Sequence, residues 1–120
     1  MPRSRRTAAQ PQNWVTLDRA STLLSYDPDT GAFQWLVEFK FKSLVIKPGD
    51  YAGTINSDGY IKITIDGRTY LAHRLAFLFM TGKWPRQTVD HRDRDRTNNS
   101  WNNLRDVSQG VNNQNRGITK

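Results

Sequence analysis

Residues 89–115 read VDHRDRDRTNNSWNNLRDVSQGVNNQN, and this stretch decides how the chain is to be understood. It holds one of the two histidines, His91, directly after Asp90 and inside the most polar, Arg-rich part of the sequence. An extended segment from Gln87 ends at Asp90-His91, and Arg92 to Ser100 is a charged loop. Leu104 to Val107 is a short second strand. Ser108 suits an N-cap for a helix from about Gln109 to Asn115, because its hydroxyl can accept from an otherwise unpaired helix N–H. The order is strand, loop, strand, helix, with Asn112 one turn into the helix. Two such layers facing each other would bring Asp90, His91 and Asn112 round one point.

Those residue types fit metal-dependent cleavage of a phosphodiester by an activated water. An imidazole titrates near neutrality, so His91 can take the proton of the water. Asp90 offers a carboxylate and Asn112 an amide oxygen, both hard ligands suited to Mg²⁺, with Mn²⁺ as a substitute. One carboxylate without thiolates or a nearby second His argues against Zn²⁺. Two protein ligands hold Mg²⁺ weakly, so substrate phosphate oxygens are expected to complete the shell. Asn103 is expected to orient the His91 loop through side-chain hydrogen bonds. Asn98 and Asn99 are read as shaping the loop; Trp101 and Leu104 are expected to pack. Arg92, Arg94 and Arg96 alternate with Asp93 and Asp95. Either the loop pairs with itself in solvent, or one Arg clamps the scissile phosphate; Arg105 and Arg116 join them as candidate nucleic-acid contacts.

Composition bounds the alternatives. A chain of 120 residues is read as one domain with a modest core. Cysteine is absent, which removes disulfides and thiolate zinc sites. No apolar run approaches the ~20 residues of a membrane span. The basic start MPRSRR has no apolar segment behind it, so it is not a secretory signal. A net charge of +7 and a pI of about 10.1 favour a polyanionic partner, nucleic acid first.

Upstream, residues 1–13 carry Arg3, Arg5 and Arg6 without apolar pattern, and are expected to be a disordered basic arm. Leu17, Ala20, Leu23 and Leu24 recur at helical spacing behind Thr16, so Thr16 to Tyr26 predicts a short amphipathic helix. Asp27-Pro28-Asp29-Thr30-Gly31 is a turn, and Phe33 to Val37 a strand. Phe39 to Gly49 alternates apolar and basic residues: an edge strand guarded by Lys40, Lys42 and Lys47, or a mobile loop in contact with phosphate. Tyr51 to Leu71 predicts a three-stranded antiparallel meander, its first strand Ala52 to Ile55, with turns at Ser57-Asp58-Gly59 and Asp66-Gly67. His73 to Gly82 predicts a buried central helix, ended by Gly82 and Trp84-Pro85. His73 is read as a satisfied structural histidine at the helix start rather than a catalytic group. Arg74 beside it either approaches a phosphate or pairs with an Asp. The fold class is therefore α+β: a small antiparallel meander with a buried helix in residues 14–85, followed by the strand–loop–strand–helix motif in 86–117, as one domain over 14–120.

The run DH…NN…NNLR…Ser…Asn112…Asn115 resembles the HNH homing endonucleases of phages and group I introns, in the His-Me finger (ββα-metal) superfamily. The upstream pieces LLSYDPDTGAFQW and AGTINSDGYIKITIDGRTYLAHRLAFLFMTGKWP resemble the N-terminal half of small phage HNH endonucleases. The resemblance spans roughly Thr22 to Gly117. It implies that Asp90 is a metal ligand, His91 the general base, Asn103 the structural Asn of the motif and Asn112 a second metal ligand. It implies a phage-encoded protein of the host cytoplasm. Many relatives continue past Asn115-Arg116-Gly117 into a DNA-reading domain. Here the chain stops at Lys120, so binding is expected to be mostly electrostatic and steeply salt-dependent. One such site cuts one strand, which implies nicking by a monomer or a double-strand break by a homodimer. The expectation is a metal-dependent DNA endonuclease. The alternatives are a non-catalytic nucleic-acid-binding module that keeps the finger fold, and an assembly protein with a basic surface.

Overall fold

A computed structural model describes residues 13–85 and 88–106. The expected basic arm up to residue 12, Gln87, Val107, the Ser108-capped helix, Asn112 and Arg116 lie outside them. The described chain is α+β and built from antiparallel strand pairs round two helices.

The first helix, α1, spans Leu17–Leu23 and starts as its sequence predicts: the Thr16 hydroxyl accepts from the Arg19 N–H at 3.2 Å. It ends earlier than expected. Leu24–Tyr26 is a strand, β1, paired antiparallel with β2, Phe33–Trp35, in the register Leu24↔Trp35 and Tyr26↔Phe33. The apolar spacing fitted a helix, but the turn after Tyr26 folds the chain back and lets this segment bury Leu24 while its backbone pairs with β2. The ambiguous stretch that follows is a two-stranded hairpin of β3, Phe39–Phe41, and β4, Leu44–Ile46. Its inner residues Phe39 and Ile46 pack on the core, and Phe41 at its far end is exposed.

The meander is present as β5, Thr54–Ile55, β6, Ile61–Ile65, and β7, Arg68–Leu71. Its first strand is shorter than predicted. In β6 the alternation holds: Ile63 and Ile65 are buried, and Lys62 and Thr64 face solvent. Asp66 and Gly67 both take positive φ, as a tight hairpin turn requires.

Helix α2, Ala72–Thr81, follows without a break and is closed by Gly82 at φ 82°. It buries Leu75, Ala76, Phe77 and Leu78. Leu75, Phe77 and Leu78 each contribute about 1.5–3 kcal/mol of burial, which outweighs the absence of a side-chain N-cap at Leu71. The last strands, β8, Val89–His91, and β9, Leu104–Asp106, form an antiparallel pair with His91 opposite Leu104. Val89 and Leu104 belong to the same apolar core as Leu24, Ile63 and Leu75, so this pair is fastened to the body of the protein. Trp84 closes the bottom of the core: it stacks on Tyr70, and its indole N–H donates to the Val15 carbonyl at 3.0 Å. Among the described residues no helix is long and apolar enough to cross a membrane.

Candidate active site

His91 ends β8, and the strand alternation sets what surrounds it. Val89 and His91 are buried, while Asp90 between them points to the other face. The His91 side chain, 4% exposed, lies against three groups. The Asn99 amide oxygen is 2.8 Å from His91 Nε2. The His73 ring, from the first turn of α2, is edge-on with centroids 4.9 Å apart. The Tyr60 ring lies 6.0 Å away and 5.0 Å from His73. With Asn99 presenting its Oδ1, the contact is a hydrogen bond when the ring carries its proton on Nε2, the tautomer in which Nδ1 keeps the lone pair a general base needs.

The loop between β8 and β9 is folded by its own polar side chains. Asn103, buried, sits at its centre. Its amide N–H₂ donates to Asp93 Oδ1 at 2.9 Å and to the Asn98 carbonyl at 2.8 Å, and its Oδ1 accepts from the Asp93 N–H at 3.0 Å. Its main-chain carbonyl accepts from the Arg92 N–H at 2.8 Å, immediately after His91. These bonds fix both sides of the loop that carries His91 and Asn99.

The acidic residues of the loop serve its backbone. Asp93 accepts from the Asn98 amide at 2.8 Å and from the Asp95 N–H at 2.8 Å. Asp95 accepts from the Thr97 hydroxyl and N–H. Hydrogen bonding from Asn98 holds the Asp93 carboxyl below its usual range, and bonding from Thr97 does the same for Asp95. Neither forms an ion pair with a neighbouring arginine; the described residues hold only the pairs Arg19–Asp66 and Arg105–Asp90. The self-paired loop is therefore not what forms. Arg92 and Arg94 are exposed cations beside His91. Arg96 is engaged: its guanidinium lies 4.7 Å over the Tyr60 ring and donates to the Asp58 carbonyl. Arg74 donates to the Pro85 carbonyl at 3.1 Å.

Asp90 and Arg105 face each other across β8 and β9, and Arg105 Nη2 donates to Asp90 Oδ2 at 2.7 Å. The carboxylate is half-exposed and chemically suited to a hard divalent cation. No group of three or more His, Asp or Glu side chains among the described residues is arranged to hold an ion. The other expected ligand, Asn112, lies outside them.

Two residues near His91 carry more than the sequence indicated. Asn99 was expected to shape the loop, yet its side chain is 1% exposed and bonded to the imidazole. Nothing in an Asn-Asn pair distinguishes the residue that turns inward. His73 was expected to be satisfied. It is buried, and its Nδ1 has no hydrogen-bond partner among the described residues. Burial pushes its pKa down to about 4, aided by His91 and then Arg74, so it is neutral at pH 7. The available signal was the position of His73 in a first helical turn that follows directly from a strand. That junction points the side chain toward the sheet rather than into water.

No curated protein and no solved structure matches the chain. A family model does match, over residues 70–114. The matched stretch runs from Tyr70 in β7 through α2 and the β8–β9 pair, so it contains His73, Asp90, His91, Asn99 and Asn103. Its description is HNH endonuclease, which supports a nuclease acting on nucleic acid, in a family that generally uses a divalent metal. The match likens this stretch, with both histidines of the chain, to the HNH endonucleases.

Proposed function

We propose that the protein is a metal-dependent DNA endonuclease that hydrolyses one phosphodiester per active site, with His91 as general base. The observation that carries this reading is the His91–Asn99 contact. A buried imidazole is held through Nε2 by an amide oxygen, beside a neutral His73, within the segment that matches the HNH family. Nδ1 of His91 takes the proton of the attacking water, a step worth on the order of 10²–10⁴ in rate. Asn103 keeps the His91 loop in place. Asp90, with Asn112 as the second ligand, would hold a divalent ion, Mg²⁺ or Mn²⁺, which supplies charge stabilisation at the leaving oxygen. Arg92 and Arg94 contact phosphates, with Arg116 as a further contact. Arg74, Arg96 and Arg105 serve the fold first, through Pro85, Tyr60 and Asp90. The site acts as a monomer that nicks or as a homodimer that breaks both strands. By resemblance to the homing type, the protein is phage-encoded and works in the host cytoplasm.

One observation favours the second reading, a nucleic-acid-binding module without catalysis: Arg105 occupies the Asp90 carboxylate that an ion needs. Nicking of supercoiled plasmid separates the two. The wild type should nick with Mg²⁺ or Mn²⁺ and stop in EDTA, and His91→Ala should lose at least about 100-fold. A wild type that retards the plasmid but leaves it closed under every metal makes the protein a binding module.

A further inference from the structure

Asn99 orients His91, so whatever fixes Asn99 fixes the base. Three contacts from the β1–β2 turn converge on the consecutive residues Asn99, Ser100 and Trp101. The Tyr26 hydroxyl donates to the Asn99 carbonyl at 2.6 Å. The Trp101 N–H donates to the Pro28 carbonyl at 2.8 Å. Gly31 presses directly on the backbone: a Cβ there would lie 2.3 Å from the Asn99 carbonyl carbon and 2.4 Å from the Ser100 nitrogen. Those are backbone atoms, so nothing can swing aside. Gly31 also sits at φ 83°, where a side chain is strained.

The turn is itself stiff. The Asp27 carboxylate accepts from the Asp29 N–H at 2.9 Å, and the Asp27 carbonyl accepts from the Gly31 N–H at 2.7 Å. Tyr26 is anchored by ring contacts with Phe33 and with Phe79 of α2. Tyr26, Asp27, Asp29, Gly31 and Phe33 lie upstream of the stretch that matches the family model, and Phe79 lies within it.

The geometry points to residues 26–31 as positioning elements of the active site. The turn clamps the Asn99 backbone from behind, and Asn99 Oδ1, 2.8 Å from His91 Nε2, then fixes the orientation of the imidazole. Tyr26, Pro28 and Gly31 touch no reacting atom and act only through Asn99. This rests on His91 being the general base of the proposed nuclease.

The experiment uses the full chain with Gly31→Ala and Tyr26→Phe, and two readouts. The first is steady-state nicking with Mg²⁺. Gly31→Ala should lower kcat by roughly 10–100-fold, the scale of a misplaced catalytic group, with KM within about threefold. Tyr26→Phe, which loses one hydrogen bond, should lower kcat about fivefold. The second readout is ¹⁵N NMR of the imidazoles without metal or DNA. With two histidines in the chain, His73→Gln assigns the His91 signals. The wild type should show His91 as the single Nε2–H tautomer, and both clamp variants a mixture.

Folded variants that keep kcat and the single tautomer overturn the clamp. Should Gly31→Ala fail to fold, Tyr26→Phe decides alone by the same two readouts. A wild type that cuts no DNA sinks the nuclease reading, while the tautomer still tests the clamp.

Discussion

Acidification from pH 7.5 to 4.5 should weaken the protein by roughly 2–3 kcal/mol through His73. Burial holds this imidazole at about 4, against 6.5 for an exposed histidine. Below 6.5 the unfolded chain takes up a proton that the folded protein refuses. Stability therefore falls as pH drops through the window from 6.5 to about 4, and levels off below it. At about 1.4 kcal/mol per pH unit the full window is worth roughly 3 kcal/mol, and the interval down to pH 4.5 captures most of it. Asp93 and Asp95 also have depressed pKa values, but stability from a depressed carboxyl is lost as pH falls below the ordinary value of 3.8, largely outside the chosen interval. The assay is urea unfolding at both pH values for wild type and His73→Gln. The glutamine is neutral at both, so the variant is weaker overall but should lose clearly less on acidification. The difference between the two losses reads the burial of His73 together with its contact with His91. Equal losses in the two proteins would refute the reasoning, because His73 would then bind its proton as readily folded as unfolded.

Other outcomes follow from the same geometry. Asn103→Ala removes the amide that satisfies Asp93 and the Asn98 carbonyl; it should destabilise the fold by about 1–3 kcal/mol in urea titration and abolish plasmid nicking. Arg92→Ala and Arg94→Ala should each weaken binding to unrelated DNA duplexes about equally. Each should also reduce the slope of log binding constant against log salt by about 0.9, measured by fluorescence anisotropy. An unchanged slope would remove that arginine from the phosphate contacts.

The sequence by itself determined the elements whose signals are local. Ile63 and Ile65 alternate with Lys62 and Thr64 because a strand turns successive side chains to opposite faces, and a core lies on only one of them. Asp66-Gly67 marked a hairpin because the turn needs positive φ. Leu75 to Leu78 marked a buried helix, and the polar loop after His91 marked the candidate site. Leu24 to Tyr26 was misread because its helical spacing is local, whereas its strand pairing depends on residues across a turn.

Only the tertiary structure decided what surrounds His91. Asn98 and Asn99 are the same residue type side by side, yet one braces the loop and the other is buried against the imidazole. His73 reaches His91 from another element, and Tyr26 reaches Asn99 across 73 residues of sequence. The pairing of Asp90 with Arg105, rather than of the loop aspartates with their neighbouring arginines, follows from strand register. Periodicity and turn chemistry act over a few residues and are written in the sequence. The partner of a buried polar atom is chosen by packing between distant segments, which becomes visible only when the chain is folded.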